Sequence, residues 1–172
     1  MYDHSIPIFA KMLGNLSAVL DKAAKHCEAT KIDPNALLTS RLYPDMFPLT
    51  RQVQIATDQA KGGAARLAGL EVPKYDDGEK SFDDLKARIA KTIAFVSGIK
   101  PEQIANSEGR EVTLPIGGNP VTFKGEWYLK HFVMPNFYFH ITTAYDILRH
   151  NGVALGKGDY IGVSNWEEAA GW

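Results

Sequence analysis

The segment Trp127–Gly152 constrains the fold of this chain more than any other part of the sequence. Its apolar residues recur at steps of three and four, which predicts one long amphipathic helix from about Gly125 to Asn151. At 100° per residue, His140 falls on the apolar stripe of this helix. Because such a helix must bury its apolar face, the chain is expected to be built from packed helices.

Three more segments have the same periodicity. The spacing predicts long helices over Ser5–Ala29, over Leu49–Leu70 and over Ser81–Gly98. A short helix is predicted from Pro34 to Leu38, because an aspartate directly before a proline is typical of a helix start. Gly69 is a plausible end for the second long helix.

Between the third and last long helices the period changes from helical to strand-like. Residues Arg110–Lys124 contain two short strand-like runs joined by Gly117-Gly118-Asn119, which predicts a β-hairpin. Pro115 and Pro120 limit its pairing, so it should be short and peripheral. The predicted fold is all-α: a four-helix bundle with at least one crossover and a short β-hairpin insert before the last long helix.

The segment Arg41–Thr50 contains two prolines and cannot form a regular helix. Its large apolar residues are expected to be buried, and an ion pair between Arg41 and Asp45 is expected to pin the loop. After Gly152 the chain should pack back along the bundle at least as far as Tyr160. The predicted organisation is a bundle over residues 1–162 and a tail over residues 163–172, which contains Trp166 and Trp172.

Composition narrows the classes of function. The 172 residues suit one domain, and 19 basic against 20 acidic residues give a net charge of -1, so we expect no nucleic-acid partner. No apolar run approaches the ~18 residues that cross a bilayer, so no membrane association is expected. The single cysteine, Cys27, continues the apolar stripe of the first helix and is interpreted as a core residue. One cysteine and no leader-like N-terminus indicate a cytoplasmic protein.

Candidate site residues lie on the apolar faces of two helices. Asn136 lies four residues before His140, so their side chains share one face, whereas His131 lies close to the opposite side. Gln52, at the edge of the stripe of the second long helix, and Asp58, on its flank, are candidate facing groups. Two readings stay open: a satisfied buried polar network, or a small-molecule or metal site with His140 as general base or ligand.

Two runs resemble a known family. RLYPDMFPLTRQVQIATDQAKGGAARLAG, starting at Arg41, and PNFYFHITTAYDILRHNGVALGKGDYIG, starting at Pro135, resemble a bacterial domain-of-unknown-function family grouped with the DinB/YfiT-like helical bundles. The resemblance covers Ser5–Gly162. It implies a four-helix bundle with a crossover, often dimeric, in a superfamily that contains metal-dependent thiol transferases.

The resemblance also implies a set of metal ligands. Three histidines hold the divalent metal in that superfamily: one on the second helix, and two in a His-x-x-x-His motif on the last long helix. His140 matches the final ligand, Asn136 occupies the place of the preceding one, and Gln52 lies about where the second-helix ligand would be. The triad is therefore incomplete for zinc or nickel, which prefer imidazole, thiolate or carboxylate.

Two functions follow as hypotheses. In the first, a small molecule binds in a pocket formed by Gln52, Asn136 and His140. In the second, the protein is a non-catalytic, homodimeric interaction or stress-associated bundle whose buried polar groups are structural. Seven aromatic residues near the last helix favour the second, because one bundle face cannot bury all of them: Trp127, Tyr128, Phe132, Phe137, Tyr138, Phe139 and Tyr145.

Overall fold

The body of the protein is a four-helix bundle. The structure is a computed structural model and describes residues 1–163. Its α-helices are α1 (Ile6–Thr30), α2 (Pro34–Leu38), α3 (Leu49–Ala68), α4 (Phe82–Ser97), α5 (Pro101–Ile104), α6 (Gly125–Trp127), α7 (Met134–His150) and α8 (Lys157–Ile161). Helices α1, α3, α4 and α7 form the bundle, in which α3 packs against both α7 and α4, and α1 packs against α4 and α7. The predicted fold class is confirmed.

Helix α1 shows why the sequence pattern predicted the bundle. After a 3₁₀ turn at Tyr2–His4, its apolar residues line one buried face, and the hydroxyl of Ser5 donates to the carbonyl of Met1 at 2.9 Å. Cys27 lies at the end of that face with 2% of its surface exposed, and burial raises the pKa of its thiol. The interpretation of Cys27 as a core residue therefore agrees with the structure, since the reactive form of cysteine is the thiolate.

The boundaries of α3 and α4 follow from local chemistry. Gly69 ends α3 in a left-handed conformation, with φ of +70°, which glycine adopts without steric cost. Ser81 caps α4: its hydroxyl accepts a hydrogen bond from the backbone N–H of Asp84 at 3.0 Å. The end of α3 at Gly69 and the start of α4 next to Ser81 agree with the sequence prediction. The segment between the two helices, residues 70–81, lies as a strap over α3 and α4.

The last long helix is not uniform, which corrects the prediction of one regular helix from Gly125 to Asn151. A π-helical segment, Tyr128–Val133, separates α6 from α7. Pro135 lies in the first turn of α7; it has no N–H, and in a regular α-helix its ring would clash with the carbonyl of the residue four positions earlier. The wider π turn directly before it avoids this clash.

The predicted β-hairpin is present. Strands β1 (Glu111–Ile116) and β2 (Asn119–Lys124) pair antiparallel, and Ile116 pairs with Asn119 across a two-residue loop. That loop, Gly117-Gly118, has φ of +57° and +84°, as a type I′ turn requires. Val112 and Leu114 point from β1 into the apolar core, so one face of the hairpin packs on the bundle.

The loop before α3 differs from its prediction in two respects. Arg41 is not paired with Asp45; its guanidinium donates to the carbonyls of Pro44 and Met46, at 3.3 and 3.1 Å. These two backbone carbonyls take the place of the Asp45 carboxylate as hydrogen-bond acceptors for Arg41. The expected burial is also wrong, because Tyr43 and Phe47 are 66% and 54% exposed.

The chain beyond α7 packs back onto the bundle through α8, as predicted. The carbonyl of Tyr160 accepts from the Asn15 side chain at 3.1 Å, and the Tyr160 hydroxyl bonds to Thr142 at 2.9 Å. Trp166 and Trp172 lie outside the described residues. Within residues 1–163, none of the helices combines the length and apolarity needed to cross a bilayer.

Candidate functional site

A buried contact between α3 and α7 joins two of the candidate residues. Gln52 and His140, 1% and 8% exposed, face each other across the helix interface. Nδ1 of His140 lies 2.7 Å from Oε1 of Gln52. The two positions are 88 residues apart in sequence, so the contact depends on bundle formation. It arises because each residue occupies a core-facing position of its helix.

The loop before α3 fixes the orientation of this pair. Nε2 of Gln52 donates to the backbone carbonyl of Phe47 at 3.0 Å. Because a carbonyl oxygen can only accept, the amide nitrogen of Gln52 must face Phe47 and its oxygen must face His140. Nδ1 of His140 therefore carries the proton, and Nε2 is left as the acceptor of the neutral ring.

Nε2 of His140 is unused and reaches solvent. It makes no hydrogen bond within the part of the chain that the structure describes. In that part, the fully buried side-chain polar atoms that lack a hydrogen-bond partner are the hydroxyls of Tyr75 and Ser107. Nε2 of His140 is not among them, so this unpartnered atom is not fully buried. An exposed lone pair on an oriented neutral imidazole can accept a hydrogen bond or a proton from a bound molecule.

The electrostatic surroundings keep the ring neutral. Burial lowers the pKa of His140, and the positive charge of Arg51 lowers it further. Both effects disfavour the imidazolium ion. At neutral pH the ring is therefore a hydrogen-bond acceptor at Nε2.

Asn136 lies one helical turn before His140, on the same face of α7. Its Nδ2 donates to the carbonyl of Phe132 at 2.6 Å, and its Oδ1 has no partner among residues 1–163. No hydrogen bond joins this side chain to His140. A molecule held at Nε2 of His140 could still reach the free amide oxygen, because residues four apart on a helix are neighbours.

The structure places Asp58 in a different cluster, on the α4 side of α3. Its carboxylate pairs with Arg88 at 2.8 Å and with Lys61 at 2.7 Å. Arg88 is 5% exposed, and its Nε donates to the hydroxyl of Thr57 at 2.7 Å. Asp58 therefore neutralises a buried cation instead of orienting His140.

Arg88 also holds the strap between α3 and α4. Its Nη1 lies 2.9 Å from the Glu79 carboxylate and 3.1 Å from that of Asp77, and it donates to the Asp76 carbonyl at 3.1 Å. Burial raises the pKa of Glu79, but hydrogen bonds from Arg88 and Gln54 outweigh burial and lower it. Sequence reasoning missed Arg88, although its position three residues after Leu85 lies on the apolar stripe of α4.

One exposed aromatic side chain lies beside the imidazole of His140. The ring of Phe139 lies 5.2 Å from the imidazole, edge to face, and 54% of Phe139 is exposed. Phe47, whose carbonyl orients Gln52, is exposed to the same extent. A polar acceptor beside exposed aromatic surface suits a ligand that combines an apolar body with a hydrogen-bond donor.

The donor set does not fit zinc or nickel. His140 is the only imidazole at the three positions, and carboxamides occupy the other two. Both carboxamides already bond to backbone carbonyls, those of Phe47 and Phe132. Residues 1–163 contain no group of three or more histidine, cysteine, aspartate or glutamate side chains placed to hold a metal ion. His131 is exposed and contacts Trp127, with ring centres 5.2 Å apart, away from the His140 site.

Comparisons with known proteins agree on the family. The crystal structure of a DinB family member protein from Shewanella denitrificans, at 1.83 Å resolution, is similar with a TM-score of 0.88 and 45% sequence identity. The similarity covers 94% of this chain and 92% of that chain. This protein is thus a DinB-like helical bundle. It belongs to the family described as a domain of unknown function, DUF1993, whose profile matches residues 1–161. A comparison with curated proteins gives no match.

Proposed function

We propose that this DinB-like protein binds a small organic molecule in a pocket formed by His140, Asn136 and Gln52, without a metal ion. Nε2 of His140 accepts a hydrogen bond from the molecule and can act as a general base toward it. The observation that carries the proposal is the chain of contacts from the Phe47 carbonyl through Gln52 to His140. This chain orients a buried imidazole and leaves one of its nitrogens open to solvent.

The other groups at the site define the shape of the ligand. The free Oδ1 of Asn136 offers a second polar contact one turn away. The exposed ring of Phe139 offers an apolar wall. A ligand with an aromatic or aliphatic body and one protic group satisfies both.

The test uses nitrogen-15 NMR of the histidine side chains, with benzyl alcohol and benzamide as probes. Without a probe, His140 should show a proton on Nδ1 and none on Nε2. Adding either probe should shift the Nε2 resonance of His140. His140→Phe should abolish binding of the probe and leave the fold intact, whereas His131→Phe, at an exposed position, should change neither. A proton on Nε2 in the free protein, or no response at His140 to either probe, would contradict the proposal.

The alternative function is a non-catalytic homodimeric bundle. It is favoured by the exposed aromatic surface at Trp127, which is 48% exposed and stacks on Phe123 with ring centres 4.7 Å apart and planes 8° from parallel. Aromatic residues are enriched in protein interfaces. Sedimentation velocity at tens of micromolar should then show a dimer that Trp127→Ser dissociates. A monomer at that concentration would remove the support for this alternative.

A further inference from the structure

The strap between α3 and α4 is attached to the bundle only by contacts that involve a side chain. It runs back along α3, because Glu79 near its end contacts Gln54 in the first half of that helix. Residues 71–80 make no backbone-to-backbone hydrogen bond within the described part of the chain. None of them is buried, and none belongs to the apolar core. The attachment of the strap is therefore separate from the packing that forms the bundle.

Ion pairs supply much of this attachment. The carboxylate of Glu79 lies 2.9 Å from Nη1 of Arg88 and accepts from Nε2 of Gln54 at 2.7 Å. The carboxylate of Asp77 pairs with Arg88 at 3.1 Å and also with Arg51. Such contacts close the strap without burying apolar surface, so they can break without disturbing the core.

Tyr75 is the residue of the strap that reaches both helices. Its ring centre lies 4.1 Å from Nζ of Lys61 on α3 and 4.2 Å from Nζ of Lys91 on α4. These cation–π contacts favour the closed strap. Lys61 is only 6% exposed, and its other partner is the carboxylate of Asp58 at 2.7 Å. The ring of Tyr75 therefore covers a lysine side chain.

The hydroxyl of Tyr75 opposes closure of the strap. It is fully buried and has no hydrogen-bond partner among residues 1–163. Water solvates this hydroxyl when the strap is open, so closing removes a hydrogen bond and supplies none in return. A segment held by side-chain contacts against such a penalty belongs to the less stable part of a fold.

We infer that the strap is a lid that opens as one unit over Lys61 and Arg88 while the four helices of the bundle stay folded. Pairing of the strap carboxylates favours the closed state, and the unpartnered hydroxyl of Tyr75 keeps the open state populated. Opening presents an ammonium and a guanidinium group to solvent in the groove between α3 and α4. The inference does not depend on the proposed function, because it involves none of the residues of that site.

Amine labelling of the folded protein tests this inference. An acetylating reagent is added at one mildly alkaline pH, and mass spectrometry measures the rate at Lys61 relative to Lys86, an ion-paired lysine of α4. Tyr75→Phe keeps the ring and removes the unpartnered hydroxyl, so it should slow labelling of Lys61 about tenfold. Glu79→Gln removes the charge that pairs with Arg88, so it should speed this labelling about tenfold.

Glu71→Gln is the matched control. It makes the same change on the same strap, but the side chain of Glu71 has no hydrogen bond or ion pair within residues 1–163, so labelling should match wild type. The inference is overturned if Tyr75→Phe does not slow labelling, or if the two glutamine variants behave alike. It is also overturned if labelling of Lys61 rises with urea as steeply as global unfolding does, because the reagent then reaches Lys61 only in the unfolded chain.

Discussion

Helix α3 takes part in two buried polar clusters that differ in one physical property. On the α7 side, Gln52 and His140 form a neutral pair in which one ring nitrogen is unused. On the α4 side, Arg88 is charged, and its donors are engaged by three carboxylates, a hydroxyl and a carbonyl. A side chain whose hydrogen-bonding atoms are all engaged can only stabilise the fold. A side chain with an unused donor or acceptor can also bind a ligand. Unused hydrogen-bonding capacity therefore distinguishes the two clusters better than burial does.

The largest effect should come from removing the charge at the saturated cluster. Arg88→Met would leave the largely buried carboxylate of Glu79 without its cation, whereas Asp58 would keep its ion pair with Lys61. Breaking a buried charge cluster in this way costs about 3–5 kcal/mol. Urea unfolding followed by circular dichroism measures the loss. The matched control is Lys86→Met on the same helix, where exposed ion pairs to Asp21 and Asp83 contribute at most about 1 kcal/mol. Equal losses of unfolding free energy for the two variants would show that the contacts of Arg88 stabilise the fold no more than exposed ion pairs do.

The α7 side depends on close packing instead of charge. A Cβ atom at Gly63 would lie 2.7 Å from Cγ1 of Val133, in the π-helical segment. Gly63→Ala should therefore destabilise the protein by about 1–3 kcal/mol through overpacking, despite the better helix propensity of alanine. Gly62→Ala is the control, because a Cβ there meets the flexible end of Arg66. Thermal unfolding of both variants checks this, and a Gly63→Ala protein as stable as wild type would contradict the packing argument.

The comparison also shows what the sequence could predict. The four long helices were predictable because burial on a helix leaves a local period of three to four residues. The contact between Gln52 and His140 was foreseeable for the same reason, since both residues occupy core-facing positions. The hairpin was predictable because two consecutive glycines between strand-like runs fit one turn type.

The features that the sequence could not predict depend mainly on irregular segments, whose residues follow no repeating apolar pattern. The tautomer of His140 is set by the Phe47 carbonyl, at the end of an irregular loop. The role of Arg88 depends on Asp77 and Glu79, which the strap brings within reach. The π-helical segment before Pro135 spans only six residues, too few for the apolar pattern to distinguish i→i+5 from i→i+4 hydrogen bonding.

Disrupting the neutral pair of Gln52 and His140 should reduce stability less than disrupting the charged cluster around Arg88. Gln52→Leu leaves the N–H of His140 at Nδ1 and the Phe47 carbonyl without partners, which should cost about 1–3 kcal/mol. The double variant Gln52→Leu/His140→Phe replaces both polar partners with apolar groups. It should therefore lose less stability than the sum of the two single variants. Strict additivity in urea unfolding would show that the two side chains do not interact.

The smallest effect is a pH dependence that belongs to His140 alone. Its pKa in the folded protein is lowered, by burial and then by Arg51, so the unfolded chain binds a proton at a higher pH than the folded chain does. Stability from the neutral ring is complete above the unfolded pKa of roughly 6.5 and is lost as the pH falls from there toward the folded pKa. Urea unfolding at about pH 7.5 and about pH 5.5 should show a decline that is smaller in His140→Phe. Glu79, whose pKa is also lowered, loses its contribution below its ordinary value, in a more acidic range, and does not interfere. An identical decline in unfolding free energy for the variant and for wild type would mean that folding does not change the pKa of the imidazole. The α7 cluster would then lack the neutral acceptor that distinguishes it from the Arg88 cluster.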